Sequence, residues 1–317
     1  MSLKELVQAT AQQLAVAQVA LGQGTLCVWD EAAWLVLAAL QLPLDTDLEG
    51  DTPSDYLTPA RLERVQSWVH QRTQARIPTA YLSREAWLQG LAFYVDERCI
   101  IPRSWIAQVL ADGTIHDLLP HPPRHIVDLC TGNGSLAILT ALAFEEASSS
   151  ALSPPPIWAI DLCPKALEVA HINVARYKLE DRVTLIQSDG WAQADANTNG
   201  VPAQVDLIVC NPPYVTATNM ARLPPEFQAE PRLALDGNTA QGQDGMDWLR
   251  QWLRPSLARL SPQGMLVLEV GREKAHFERA FPDLEGLWLP IGDIGDIDGI
   301  EEPVVILWAT NTALKDS

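Results

Sequence analysis

The sequence predicts an α/β fold: a doubly wound, mostly parallel sheet with a terminal antiparallel hairpin, preceded by a small helical region that a β-hairpin joins to it. Three observations predict it. From His125 onward, short apolar runs alternate with helix-like runs, the pattern of parallel strands with crossover helices. Residues 1 to about 75 instead place apolar side chains at helical spacing. Between the two, residues 85–102 alternate around Gly90 and Asp96, as a hairpin would.

Each element has its own signal. Leu6, Ala9, Leu14, Val16 and Ala20 form an amphipathic run that Gly22 and Gly24 terminate. Asp30 is placed to cap a second helix, 31–41, with Trp34, Leu35, Leu37 and Leu40 facing a core. After an acidic loop at 45–54, Thr58 can cap a third helix through Arg76, which Pro78 stops. Strands are expected at 126–130, 157–162, 183–187, 205–210 and 265–270, and helices at 135–144, 164–177, 247–260 and 272–281. Residues 287–291 and 304–308 read as the terminal hairpin. Two stretches interrupt the pattern: a Ser/Pro-rich loop at 145–156 and an acidic loop at 292–302.

Composition narrows the function classes. Hydrophobic residues make up 47% of the chain and charged ones 20%, an ordinary globular balance. No apolar run approaches the ~20 residues of a membrane span, and the start lacks the basic flank of a secretion signal, so a cytoplasmic protein is expected. The five cysteines (Cys27, Cys99, Cys130, Cys163, Cys210) are scattered and lack metal-ligand spacing, which favours buried free thiols over disulfides or a metal site. A net charge of −18, from 22 basic and 40 acidic residues, is a poor surface for gripping a phosphate backbone. It would attract a basic protein, although solubility alone is the simpler account of it.

The stretch Val127-Asp128-Leu129-Cys130-Thr131-Gly132-Asn133-Gly134 ends a strand and opens a helix. Its glycines allow a tight turn and close approach of a ligand. The second strand ends in Asp161, where an acid can accept from a ribose diol. Asp161 lies farther from Gly134 than the ~20 residues usual for such pairs, and the 145–156 insertion accounts for the excess. The third strand leads to Ser188-Asp189-Gly190-Trp191, where Asp189 can accept from an adenine amino group or serve as a turn acid beside a core Trp. A nicotinamide enzyme would also fit the glycine turn. The fourth strand separates the two.

That strand empties onto Asn211-Pro212-Pro213-Tyr214. Two prolines stiffen the loop and remove backbone donors, so its carbonyls stay uncommitted. Asn211 adds a side-chain carbonyl and Tyr214 a flat face. The set suits a planar NH2 group, whose two N–H bonds the Asn211 side chain and the Pro212 carbonyl can accept. Such acceptors orient a weakly nucleophilic nitrogen and stabilise the positive charge that develops on it. An amide nitrogen and the exocyclic amine of adenine both qualify.

DLCTGNG, Asp161, SDG at 188–190 and NPPY together resemble the HemK-type class I (Rossmann-like) methyltransferases, which use S-adenosyl-L-methionine to methylate glutamine side-chain amides. The likeness spans nearly the whole chain. RIPTAYL at 76–82 and FYVDERCIIPRS at 93–104 resemble that family's linker hairpin. GQGTLCVWDEA at 22–32 and LPPEFQAEPRLALDG at 223–237 are similar to the PrmB branch, whose substrate is large-subunit ribosomal protein three. The resemblance implies a substrate-docking domain at 1–80, a linker hairpin at 81–104 and a methyltransferase domain at 105–317. Within the cofactor-binding set that runs from Asp128 and Cys130 onward, it implies that Thr131, Gly132, Asn133 and Gly134 cradle the methionine part. Asp161 would hold the ribose and Asp189 and Gly190 the adenine. The reacting loop, Asn211 through Tyr214, would hold the glutamine, with Asn211, Pro212 and Tyr214 catalytic and Asn211 also touching the cofactor. Arg103 lies in the matching hairpin, and Glu230-Pro231 match an acidic-proline turn that supports the substrate loop. Trp191 takes no role, and no metal is expected.

Three other readings share parts of this pattern. Release-factor glutamine methylation uses the same chemistry with a different docking surface, but its branch usually continues Pro-Arg-Pro-x-Thr-Glu where this chain has Pro102-Arg103-Ser104-Trp105. A nucleic-acid adenine N6-methyltransferase would need a basic groove, which the net charge of −18 disfavours. A catalytically silent cofactor-binding assembly protein would not need an intact NPPY.

Overall fold

A computed structural model describes residues 2–50, 56–145, 153–194, 200–239, 241–289 and 303–308. Most of the predicted loops at 145–156 and 292–302 therefore lie outside the described residues.

Helix α1 (Leu3–Val16) opens with a capping box: the Ser2 hydroxyl accepts from the Glu5 N–H and the Glu5 carboxylate from the Ser2 N–H. It stops well short of Gly22, because the chain reverses at Gln18 with φ 49°. Val16, part of the amphipathic run, is 86% exposed near the end of the helix. Helix α2 (Val28–Leu40) begins earlier than expected, since the Cys27 thiol rather than Asp30 caps it, accepting from the Asp30 N–H at 3.4 Å. Helix α3 (Pro59–Thr73) follows Thr58, whose side chain makes no capping bond, and a separate short helix α4 (Thr79–Ser83) starts behind Pro78. Leu3, Val7, Leu14, Leu35, Leu40, Val65 and Val69 pack α1, α2 and α3 around one apolar cluster.

Strands β1 (Glu85–Leu88) and β2 (Leu91–Tyr94) pair antiparallel across Gln89 and Gly90, both with positive φ as a two-residue hairpin turn needs. The hairpin closes at Tyr94. Residues 95–104 then run toward the main sheet, followed by helices α5 (Ile106–Ala111) and α6 (Thr114–Leu118).

The main sheet has seven strands. These are β3 (Ile126–Leu129), β4 (Ile157–Asp161), β5 (Val183–Gln187), β6 (Val205–Cys210), β7 (Leu260–Glu269), β8 (Leu287–Leu289) and β9 (Val304–Trp308). Their order is β5-β4-β3-β6-β7-β9-β8, parallel through β7 and antiparallel at β9, which pairs with both β7 and β8. Alternate residues feed two cores. Ile126, Ala159, Leu207 and Val267 face one side, while Val127, Ile160, Ile208 and Leu268 face the other. Helices α7 (Ser135–Ala143) and α8 (Pro164–Arg176) are the crossovers to β4 and β5. Between β6 and β7 come α9 (Ala217–Met220), α10 (Pro225–Gln228) and α11 (Asp247–Ala258), and α12 (Lys274–Ala280) follows β7. The α11 residues Leu249, Leu253 and Leu257 cover the second core together with Phe277 of α12.

All five cysteines are free. Cys99 and Cys210 are buried as expected, but Cys27 is exposed because its thiol caps α2 at the surface. Among the described residues, no helix is long and apolar enough to cross a membrane.

Candidate active site

Strand register assembles the site. Leu129 lies opposite Ile160 on one side and Cys210 on the other, so Cys130, Asp161 and Asn211 emerge side by side at one rim. Asp161 pairs with Gln187, which brings Ser188, Asp189 and Gly190 to the same rim, and Cys210 pairs with Leu268, which places Glu269 beside Asn211. This is the carboxyl edge of the parallel strands, where α/β sheets hold ligands.

A cleft opens there. Arg103, Cys130, Thr131, Gly132 and Asn133 line it, as do Asp161, Gly190, Asn211 and Pro213. Asp128, Gly134, Asp189, Pro212, Tyr214 and Glu230 do not line it themselves and stand behind or between those that do. The chain leaves β3 through Cys130 in the left-handed region at φ 61°, then turns at Gly132 (φ 56°) and Gly134 (φ 82°). Asp161 braces the turn, accepting from the Gly132 and Cys163 N–H groups at 2.8 Å each. Behind it, Thr131 donates to Asp128 at 2.5 Å. Burial nevertheless pushes Asp128 up to about 7, and burial likewise raises Asp161 above the usual carboxylate range. The neighbouring Cys210 thiol, together with burial, raises the Cys130 thiol well above its ordinary value. Asp189 keeps one buried carboxylate oxygen, Oδ1, without a hydrogen-bond partner.

In the loop that follows β6, neither the Asn211 side chain nor the Pro212 carbonyl has a hydrogen-bond partner among the described residues. Tyr214 is held from behind. Its hydroxyl donates to Glu269 Oε1 at 3.0 Å, while Glu269 Oε2 accepts from the Ser104 hydroxyl and, at 2.8 Å, from the Trp105 N–H. Burial raises both Glu269 and Tyr214, and the neighbouring Glu269 carboxylate raises Tyr214 further, so the phenol stays protonated and its ring stays put.

The loop after Tyr214 is anchored to the helical region. Glu230 accepts from Gln23, from the Ile101 N–H at 3.1 Å and from Arg103 at 2.8 Å. Burial works against the Arg103 charge, but Glu230 raises it above its ordinary value, and the guanidinium lies 5.3 Å over the Phe227 ring. One α10 turn earlier, Glu226 accepts from Arg72 and Arg76 at 3.1 Å each, and Arg72 also donates to Glu31 at 2.7 Å. Arg72 is 1% exposed, so this is a buried network.

The sequence reading missed several of these groups. Glu269 ends a buried apolar strand as Asp161 does, a signal that could have found it. Asn173 of α8, fully buried, accepts from the Tyr94 N–H at 2.7 Å and donates to the Tyr94 and Asn133 carbonyls at 2.9 Å, tying hairpin to glycine turn. A lone Asn in a helix interior announces no such role. Glu31, Arg72 and Glu226 look like ordinary helix-surface charges until tertiary packing buries them.

Comparison with known proteins follows the same lines. Residues 106–227 match the family described as RMKL-like, methyltransferase domain. The ribosomal protein uL3 glutamine methyltransferase of Bordetella pertussis is 44% identical over 298 residues, 93% of each chain. Its namesake from Burkholderia pseudomallei is 42% identical over 293 residues, covering 91% of this chain and 90% of the relative. That of Bradyrhizobium diazoefficiens is 41% identical over 284 residues, 87% and 83% of the two chains.

Proposed function

We propose, from the premise that this chain belongs to the ribosomal protein uL3 glutamine methyltransferase family, that it methylates the side-chain amide nitrogen (N5) of a glutamine in uL3, protein three of the large ribosomal subunit. The methyl donor is S-adenosylmethionine, whose sulfonium supplies an electrophilic methyl group when bound. The residues present fit that group. A Cβ on Gly132 would project into the gap toward Ile100, 3.5 Å away, so the glycine leaves room for a ligand. Asp161 and the unpartnered Asp189 Oδ1 are acceptors suited to a ribose diol and an amino group. Thr131, Gly132, Asn133 and Gly134 would hold the methionine part, backed by Asp128 and Cys130, with Gly190 beside the adenine.

The observation that carries the reading is Asn211, which lines the same cleft as the glycine turn while its amide keeps its hydrogen-bonding capacity free. Asn211 Oδ1 and the Pro212 carbonyl accept the two N–H bonds of the substrate amide. Tyr214, steadied by Glu269, presents its ring to the amide plane, and Pro213 keeps the loop stiff. These fixed acceptors orient the nitrogen and stabilise the charge it gains, so no strong base is needed. Residues 1–80 act as the docking region for the protein substrate and 105–317 as the methyltransferase domain. Arg103 and Glu230, which link the 81–104 hairpin segment to the substrate loop, keep the two in register. A basic substrate suits the charge of −18.

The relatives favour uL3 over a release factor, and the charge disfavours nucleic acid. Incubating the chain with labelled cofactor and, separately, free uL3, assembled large subunits, release factor and DNA tests the proposal. Label is expected in uL3, free or assembled. Label in release factor alone would overturn the substrate, and label in DNA alone would overturn amide chemistry altogether.

A further inference from the structure

Two tryptophans of α11 stand one helical turn apart at one end of the cleft. The rings of Trp248 and Trp252 are 5.3 Å apart and 29° from parallel, and both line the cleft together with Ser188 and Gly190. The chain fastens them there from three sides. Trp191, which follows Gly190 directly, donates its indole N–H to the Ser256 hydroxyl at 2.8 Å. That hydroxyl donates in turn to the Trp252 carbonyl at 2.8 Å. Trp248 donates its indole N–H to the Asp236 carbonyl at 3.3 Å, at the end of the loop that follows Tyr214. At Gly190 a Cβ would fall 2.7 Å from Trp252 Cδ1, so the loop packs its bare backbone on the indole.

The polar atoms nearby complete a pattern. Among the described residues, Trp252 Nε1 is a buried donor without a partner, and Asp189 Oδ1, next to Gly190, is a buried acceptor without one. A stacked tryptophan pair is ordinarily core packing, but Trp248 is only half-buried and borders the cleft. A flat π-system of mixed donor and acceptor edge fits such a wall. A purine stacks on indole through its face and offers both an amino donor and ring-nitrogen acceptors at its edge.

We infer that Trp248 and Trp252 form the wall against which the purine base of the cofactor packs. The assignment rests on the S-adenosylmethionine reading above and extends it to residues that the glycine turn and the rim acids do not include. It also accounts for Trp191, which through Ser256 registers α11 against the 188–190 loop, so that the wall stands beside the base.

Calorimetric titration of the whole chain with S-adenosylhomocysteine and with adenosine tests this, using Trp248→Met, which fills space without a ring, and Trp248→Phe, which restores one. The Met variant should bind both ligands roughly tenfold more weakly, on the scale of losing one base-stacking contact. The Phe variant should bind within about threefold of the parent, although both variants lose the indole bond to the Asp236 carbonyl alike. Parent-like affinity in the Met variant would overturn the wall. So would the absence, on the parent, of magnetisation transfer from indole protons to the base protons of bound adenosine, a test that needs no variant. Failure of the cofactor reading looks different: the parent itself would bind neither ligand.

Discussion

At Asp161 both carboxylate oxygens accept backbone N–H groups, yet burial still raises the group above the usual carboxylate range. Asp128 and Glu269 are raised by burial as well, Asp128 to about 7. A carboxyl raised on folding favours the native state while protonated. Its contribution is complete below the unfolded value near 4 and is lost as pH rises through the folded one. For Asp128 that loss runs from about pH 4 to just above pH 7, and the part of it that falls between pH 6 and 8 amounts to about 1 kcal/mol in the ligand-free chain. Unfolding titrations at the two pH values should show it, and Asp128→Asn should flatten it; an identical pH dependence in the variant would refute the assignment. Asp161→Ala should act on cofactor affinity first, by calorimetry, because Asp161 braces the glycine turn and lines the cleft. The rim acids and the Asn211 loop were legible because each ends an apolar strand. Asn173 and Trp252 were not, because their partners come from elements distant in sequence.

The seven described strands of the sheet are legible as short apolar runs bounded by turn residues, and even the three residues of β8 stand out that way. The stretch 105–124 and the loop 215–246 resist such reading: α5, α6, α9 and α10 run from four to six residues, under two turns. The helix α2 cap escaped for a different reason, because Cys is not a usual capping residue. What holds α10 in place is the buried network of Arg72 with Glu31 and Glu226. Removing Arg72 leaves Glu31 as a buried carboxylate without its cation, while Glu226 keeps only the half-buried Arg76, so Arg72→Met should cost about 3 kcal/mol of stability. Arg72→Lys, which cannot bridge both carboxylates and the Ala20 carbonyl in one plane, should recover only part of it. Chemical denaturation measures both, and a loss under about 1 kcal/mol for the Met variant would mean that the network does not hold the loop.

For the whole molecule, the net charge of −18 predicts an encounter with a basic partner that salt weakens. The apparent affinity for uL3 should therefore fall as ionic strength rises in a methylation assay, and indifference to salt would count against steering. Glu226 and Glu230 anchor the loop that follows Tyr214 to the helical region and to the segment after the hairpin, accepting from the Ala20 and Ile101 N–H groups. On the proposed function, methyl transfer to a glutamine amide of uL3 depends on the Asn211 loop. It is tested most directly by mapping the methylated residue of uL3 by mass spectrometry, with turnover and cofactor affinity compared between the parent and Asn211→Ala. Methyl is expected on a glutamine side chain, and in the variant a loss of turnover of at least about a hundredfold with cofactor affinity nearly intact. Methyl on another kind of side chain, or turnover within a few-fold of the parent, would contradict it.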